Sequence, residues 1–401
     1  MLLKNCRVLY HGEEDIKDIL VEKGKIAKIY RCSEVEELDI DEIVDMDGNW
    51  VLPGVIDVHT HMRDPGLSYK EDFETGSKAC AKGGVTTFID MPNTVPNTTT
   101  KEILDAKEGN SKNRSYVDYG FHFGGSKLDN SEEIKKVRDR VASTKIFLNM
   151  STGDMLVEEE KVLENLFKES KIISVHAEEE MVDKAIDLAR KFRKPLYLCH
   201  LSKKSEVEKL RAAKKEGLKI YGEVAPHHLF LDSSMANSLL IMKPELKSKE
   251  DNDALWLGIE DGTIDTIGTD HAPHTLEEKN SKTTYGIPGV ENSLEMMLKE
   301  LNKKIDMKTL QKVMSENPAK IFGIAGKGKI EVGYDADLVV VDLNNKEIIK
   351  NEDVISKCGW TPYSGIVGGG KVLLNMVRGH IVYDGENFIE KIGEGVKYKN
   401  V

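Results

Sequence analysis

Several things are missing from this 401-residue chain, and each absence narrows what it can be. Cysteine is sparse and without pattern. Cys6, Cys32, Cys80, Cys199 and Cys358 are odd in number, scattered, and form no CxxC motif. That argues against a disulfide framework or a cysteine-built zinc module, and for a reducing, cytoplasmic setting. No apolar run approaches the length that spans a bilayer. Met1-Leu2-Leu3-Lys4-Asn5 lacks the apolar stretch of a secretion signal. Positive charge is in deficit. Lys and Arg total 57 against 69 Asp and Glu, a net charge of −12, so neither nucleic acid nor an anionic membrane is the expected partner. A short internal repeat is also absent, which excludes a solenoid.

What is present suits a globular chain. With 39% hydrophobic and 31% charged residues it can bury a large core. Its length allows two average domains, or one large α/β barrel with an appendage. Residues 1–49 hold short strand candidates at 6–10, 19–22 and 25–30, the last two joined at Lys23-Gly24. The pattern returns near residue 335, with candidates at 336–342, 372–377 and 380–383. Each end alone is thin for a core. The expectation is that 1–50 and 335–401 pair into one small β-rich, sandwich-like domain around a 51–334 insert. In that insert, strand candidates at 55–61, 85–91, 116–123, 145–150, 172–177, 196–201, 219–224 and 263–270 alternate with helical stretches. Ile134, Val137 and Val141 mark a helix over 131–143, and Met181, Ala185, Leu188 and Phe192 another over 181–192. Ser205 to Glu208 has capping-box spacing, and Gly217 suits the end of that helix. This alternation predicts an α/β fold, a (β/α)8 TIM-type barrel. The rival doubly wound sheet needs a glycine-rich phosphate loop after its first strand, and His61-Met62-Arg63-Asp64-Pro65-Gly66 is not one.

The chain is organised around Asp57-Val58-His59-Thr60-His61-Met62-Arg63, which follows an apolar entry. Side chains two apart on a strand share a face, so Asp57, His59 and His61 are expected together, opposite Ile56, Val58 and Thr60. Two imidazoles at a strand end are half of a metal site, or a pair of hydrogen-bonded core histidines. In such a barrel, function sits at the C-terminal ends of the strands. The polar residues there are His59, His61, Asn93, Lys145, His176, His200, Glu223 and Asp270. Burying the histidines and the aspartate unpaired would cost on the order of several kcal/mol, whereas a metal centre accounts for them together. Nitrogen and oxygen donors without paired thiolates suit zinc, with manganese or cobalt behind it. The set exceeds the needs of one zinc, and two metals about 3.5–4 Å apart need a bridging ligand. Lys145 is the odd member. Deprotonated, its amine reacts with carbon dioxide to give a carbamate with one oxygen for each metal. Its plainer reading is an ion pair with an acid such as Asp154.

Six segments carry a resemblance. They are Pro53-Gly54-Val55-Ile56-Asp57-Val58-His59-Thr60-His61-Met62-Arg63-Asp64-Pro65-Gly66, Met91-Pro92-Asn93-Thr94, Val175-His176-Ala177-Glu178, Cys199-His200-Leu201-Ser202, Glu223-Val224-Ala225-Pro226-His227-His228-Leu229 and Thr269-Asp270-His271-Ala272-Pro273-His274. In this order they resemble the dihydroorotase family of the cyclic amidohydrolase superfamily. The resemblance implies a hydrolase of cyclic amides that interconverts N-carbamoyl-L-aspartate and (S)-dihydroorotate plus water, in pyrimidine (UMP) biosynthesis. It implies two zinc ions per chain. His59, His61 and Asp270 would hold one, His176 and His200 the other, with carboxylated Lys145 and a hydroxide bridging them. Asp270 would also be the catalytic acid/base. Arg63, Asn93 and His274 would hold the substrate's carboxylate or ring, with backbone contacts from Pro288 and Gly289.

Arg63 separates this substrate from those of hydantoinases and allantoinases, which share the metal motif but lack a carboxylate in that place. Two departures matter. One branch of the family has aspartate for the bridging lysine, and Lys145-Ile146-Phe147-Leu148-Asn149 looks like the lysine branch. Relatives often carry Asn or Arg before a proline where this chain has Met242-Lys243-Pro244. Lys243 can attract a carboxylate but not through a bidentate fork. Cys199 and Glu223 are candidates for a third metal. An inactive dihydroorotase-like scaffold is the reading from another class. Such a chain should have lost ligands, and this one keeps them. A homo-oligomer, or an assembly with a transcarbamoylase, stays open.

Overall fold

The computed structural model describes residues 1–31, 40, 42–151, 154–281 and 283–399, so Cys32 lies outside the described residues. Strands β1 (Leu2–Tyr10), β2 (Glu13–Glu22), β3 (Lys25–Arg31), β4 (Ile43–Asp45) and β5 (Trp50–Pro53) open the chain. The central strands follow: β6 (Val55–Thr60), β7 (Val85–Asp90), β8 (Asp118–Phe121), β9 (Phe123–Gly124), β10 (Thr144–Phe147), β11 (Ile173–His176), β12 (Leu196–Leu198), β13 (Ile220–Val224) and β14 (Thr266–Ile267). β15 (Leu338–Asp342), β16 (Lys371–Val377) and β17 (His380–Tyr383) come last.

The two ends of the chain meet in one sheet, ordered β17-β16-β15-β5-β1-β2-β3 with β4 beside β1. β5 is the seam. It runs antiparallel to β15, Leu52 opposite Val339, and parallel to β1. Cys6, Val8, Ile19 and Val21 from one end pack with Leu338, Val340 and Met376 from the other. Burial of apolar area drives this joint, because neither end has enough of it alone.

The central strands are all parallel, β6-β7-β8 in one set and β9 to β14 in the other. The sets join twice. β8 and β9 are one strand interrupted at His122: Ala142 N donates to Phe121 O, and Phe123 N to Ser143 O. On the far side Thr60 pairs with His271, and His61 N donates to His271 O at 2.7 Å. This closes a (β/α)8 barrel. Helices Phe73–Lys82, Glu160–Glu169, Glu180–Phe192 and Lys204–Lys215 place their apolar stripes against the outer strand faces.

Three local expectations shift. The helix expected over 131–143 stops at Val137, because the chain is already turning into the barrel at Ala142. The helix expected to be capped by Ser205 and Glu208 starts earlier, with Glu206 accepting the backbone N–H groups of Ser202 and Lys203. β6 does not alternate cleanly. Its register against β7 slips between Asp57 and Thr60, and Ile56 and Val58 join Tyr197 and Phe322 in the buried cluster inside the barrel. Phe322, from helix Asn317–Phe322, plugs that interior, its ring 4.8 Å from Tyr197 and 5.6 Å from His122.

Two parts of the C-terminal region pack on the barrel rather than on the terminal sheet. Ile349, Cys358, Trp360 and Tyr363 cluster with Met242, Ile287 and Met296. Residues 393–398 run beside β8, with Val396 N donating to Tyr119 O at 2.8 Å.

Candidate metal centre

Strand alternation aims most of the site. On β11, Ile173 and Val175 face the helices, which leaves His176 for the interior. On β13, Val224 faces out and Glu223 is fully buried inside. On β12, Leu198 faces out and Tyr197 and Cys199 face in. The same period would send His200 outward. Its backbone φ of 37° turns it back toward His176. Asp270 (φ 48°) and Arg63 (φ 59°) are bent the same way. Residues with a Cβ rarely adopt this left-handed region, and strain of this kind collects at functional sites.

The side chains converge. His59 Nδ1 lies 2.6 Å from Glu223 Oε1, which also accepts from His200 N at 2.9 Å. Tyr197 OH donates to the other oxygen at 2.8 Å. A Cβ on Gly268 would come within 2.3 Å of that second oxygen, so glycine is needed there. With Nδ1 held, His59 Nε2 sits 3.2 Å from Asp270 Oδ1. His61 Nε2 is 3.0 Å from the same oxygen, and its Nδ1 is 2.7 Å from Asn93 Oδ1. Asp57 takes no part in the cluster. It accepts from Thr269 N and Thr269 Oγ1 and so locks β6 to the residue before Asp270.

His59, His61 and Asp270 present three donor atoms within 4.8 Å of one another. His176 Nδ1 and His200 Nε2 face each other at 2.9 Å, and their remaining ring nitrogens have no hydrogen-bond partner among the described residues. Burial pushes His61 down to about 4, and lowers His176 and His200 as well. Neutral imidazoles are the metal-binding form. Burial also opposes a charge on His59, but Glu223 and Asp270 flank the ring and hold it up at about 10. Burial alone would raise Asp270, yet His59 and His61 beside it keep its carboxyl well below the usual range. Imidazoles that crowd nitrogen against nitrogen around a carboxylate fit a cation between them. They fit a zinc-type donor set of nitrogen and oxygen.

One cavity is lined by His59, His61, His176, His200, Asp270 and Lys145, together with Arg63, Asn93, Lys243, Tyr285 and Gly286. Lys145 is 1% exposed and donates to Cys199 Sγ at 3.1 Å. The ion pair with Asp154 is overturned: Asp154 is an exposed partner of Lys127, 2.6 Å away. His59, Cys199 and Glu223 form a second group of close donor atoms, although both Glu223 oxygens are already bonded.

Arg63 is 1% exposed. Its Nε donates to Pro273 O at 3.1 Å and a terminal nitrogen lies 3.2 Å from His274 Nε2. The carboxylates that could have claimed it are engaged elsewhere: Asp64 with Arg114, and Glu71 with Thr75 and Ser356. Burial lowers the guanidinium to about 10. Burial, with Arg63 and Lys70 alongside, pushes His274 down to about 3. Lys243 Nζ pairs with Glu245 at 2.6 Å at the cavity edge. Pro288 and Gly289 do not line the cavity. Gly289 N donates to His271 Nδ1, and the loop presents Tyr285 and Gly286 instead.

Some contributors left no mark in the sequence. Trp360 Nε1 donates to His274 O at 2.8 Å from a segment far along the chain. Tyr197 reaches Glu223 only because β12 and β13 are neighbours. His227 and His228 are buried with rings 4.4 Å apart and do not line the cavity. His122 bridges Ser143 and Val58 inside the barrel.

The amidohydrolase family matches residues 50–382. The chain belongs to the amidohydrolase family. Membership together with relatives named dihydroorotase makes it a hydrolase of cyclic amides, of a kind that is typically metal-dependent. It is 36% identical to a dihydroorotase of Methanosphaera stadtmanae, over 95% of this chain and 96% of that one. It is also 36% identical to a dihydroorotase of Pyrococcus furiosus, over 92% and 90%. Among solved structures, the L-hydantoinase (dihydropyrimidinase) of Arthrobacter aurescens superposes with a TM-score of 0.94 at 30% identity, covering 99% of each chain. No helix among the described residues of this amidohydrolase is long and apolar enough to cross a membrane.

Proposed function

We propose that this amidohydrolase is a cytoplasmic dihydroorotase, which closes N-carbamoyl-L-aspartate to (S)-dihydroorotate plus water in pyrimidine biosynthesis, and reverses that step. The observation that carries the reading is Arg63. It is a buried guanidinium lining the cavity with no carboxylate in ion-pair contact among the described residues; Asp270, Asp90 and Glu278 act on it only from farther away. A buried cation with no carboxylate in contact is costly, and a substrate carboxylate would supply that contact. The relatives named dihydroorotase agree with this.

Zinc, two ions per chain, would be held by His59, His61 and Asp270 on one side and His176 and His200 on the other. Lys145, as a carbamate, would join the two sets. When bound, such metals lower the pKa of water toward about 7 and polarise a carbonyl. The chain's own residues do the rest. Arg63 binds the substrate carboxylate through charge-assisted hydrogen bonds. Asn93 flanks it, His274 acts from outside the cavity lining through its contact with Arg63, and the loop of Pro288 and Gly289 supplies the ring-facing wall through Gly286. Asp270 accepts a proton from the attacking water and passes it to the ring nitrogen as the amide opens; in the closing direction it runs the transfer backwards. Glu223 keeps His59 oriented throughout. In the small domain of 1–50 and 335–401, the sheet strands would support the 51–334 barrel, while 349–363 and 393–398 pack on the barrel itself.

A hydantoinase-type activity is the second reading, favoured by the likeness to the Arthrobacter aurescens enzyme. The deciding experiment assays the purified, zinc-loaded protein on dihydroorotate, N-carbamoyl-L-aspartate and an uncharged hydantoin. Turnover of the first two and not the third is expected. Preference for the hydantoin would overturn the assignment.

A further inference from the structure

We propose that His271 and Glu71 form a positioning pair that sets the backbone of the 285–290 loop walling the cavity. The inference rests on the reading of that cavity as a cyclic-amide site. His271 follows Asp270 directly and is fully buried, but it does not line the cavity. Its Nδ1 accepts the backbone N–H of Gly289 at 3.1 Å and of Val290 at 3.4 Å. A ring nitrogen that accepts carries no proton, so in the neutral ring Nε2 carries it. Nε2 faces Glu71 Oε2 at 3.6 Å. Glu71 is fully buried too, and its carboxylate accepts from Thr75 Oγ1, Ser356 Oγ and Lys357 N.

The backbone of the same histidine is engaged on both sides. His271 O accepts from His61 N at 2.7 Å, and the next residue, Ala272, donates to Ile287 O at 2.8 Å. One residue thus ties together the end of β6 that carries His61, the acid Asp270, and the loop whose Tyr285 and Gly286 face the cavity beside Arg63. An acceptor shared by two consecutive N–H groups fixes the peptide planes of that loop. The loop is a wall of the cavity, so loosening those planes weakens the fit of a bound ring before it disturbs the reacting groups. Glu71 extends the tie to residues 356 and 357, which lead onto the segment carrying Trp360.

The test compares His271→Leu, His271→Asn and Glu71→Gln with the wild type, all metal-loaded, on the cyclic amide that the wild type opens. Asn keeps an acceptor near the Nδ1 position and Leu removes it. H271L is expected to raise KM about tenfold, the loss of one to two hydrogen bonds, with metal content unchanged and kcat little altered. H271N should restore most of the KM. Amide hydrogen exchange over 286–290 should speed up in H271L and stay near wild type in H271N. E71Q should give a smaller change in the same direction, and it carries the readouts if H271L does not fold. Equal impairment by Leu and Asn, or exchange at 286–290 that no variant moves, overturns the proposal. A wild type active on a hydantoin alone sinks the substrate assignment and leaves the rescue and exchange readouts to decide this one.

Discussion

Glu223 Oε1 and His59 Nδ1 lie 2.6 Å apart, both fully enclosed by the barrel. The contact fixes which nitrogen of His59 is turned toward Asp270. A carboxylate behind a metal-binding imidazole also raises its basicity. Glu223→Gln keeps the shape and removes the charge. It should weaken metal affinity roughly 10–100-fold, read by titration against a competing chelator, with little change in secondary structure. Unaltered affinity would mean that the pair has no bearing on the metal.

Arg63→Ala removes the only charge proposed for the substrate carboxylate at the back of the cavity. KM for dihydroorotate should rise about a hundredfold, or turnover vanish, while bound metal stays at the wild-type level. Normal kinetics would remove the substrate assignment.

Lys145 is buried among histidines, with the Cys199 thiol its one hydrogen-bond partner among the described residues. Native mass spectrometry of the metal-loaded protein should show the added mass of one carbon dioxide, lost in Lys145→Ala. That variant should also hold less metal. A chelator should abolish activity and added zinc should restore it. Full metal occupancy in Lys145→Ala would refute the bridging role.

Lys279 reports on pH. Its ammonium donates to three backbone carbonyls, Ile241 O, Thr284 O and Gly286 O, at 2.8 to 3.1 Å. Burial, with Arg63 nearby, lowers it from the usual 10.5 to about 8. Between these values the unfolded chain binds the extra proton and the folded one does not, so this group makes stability rise with pH over that window. Thermal melts from pH 8 to 10.5 should show the contribution in the wild type and lose it in Lys279→Met. Parallel curves for the two proteins would contradict it.

Lys327 staples the terminal sheet to the barrel. It is buried, 2.7 Å from Asp118 at the start of β8 and 2.5 Å from Asp337 just before β15. Removing one partner from such a group strands the other charges. Lys327→Met should cost about 3–5 kcal/mol in a urea titration, with the active site intact in what remains folded. A loss below about 1 kcal/mol would show that the staple is unimportant.

The eight-fold alternation of strand and helix was readable because period-two and period-3.6 patterns are local. So was the gathering of the candidate donors, since a barrel brings strand ends together on one face. The limits were equally physical. Period two placed Ile56 and Val58 away from the site, yet both face the barrel interior, on a strand whose register slips between Val55 and Ile56 and again between Asp57 and Thr60. It could not foresee that the 285–290 loop would show Gly286, not Gly289, to the cavity, because Gly289's N–H is taken by His271. Trp360's bond to His274 was invisible for the same reason, as no local pattern records a partner so far along the chain.

The chain's residues alone determined the donor chemistry, the barrel, and the presence of an arginine two places beyond the second histidine. Those follow from side-chain identity and short spacing. Tertiary structure decided which nitrogen each imidazole offers, that Arg63 has no carboxylate in ion-pair contact among the described residues, and that His200 and Asp270 turn inward at all. Those depend on neighbours brought from other strands and on left-handed backbone at strand ends, which only the packing around them can hold in place.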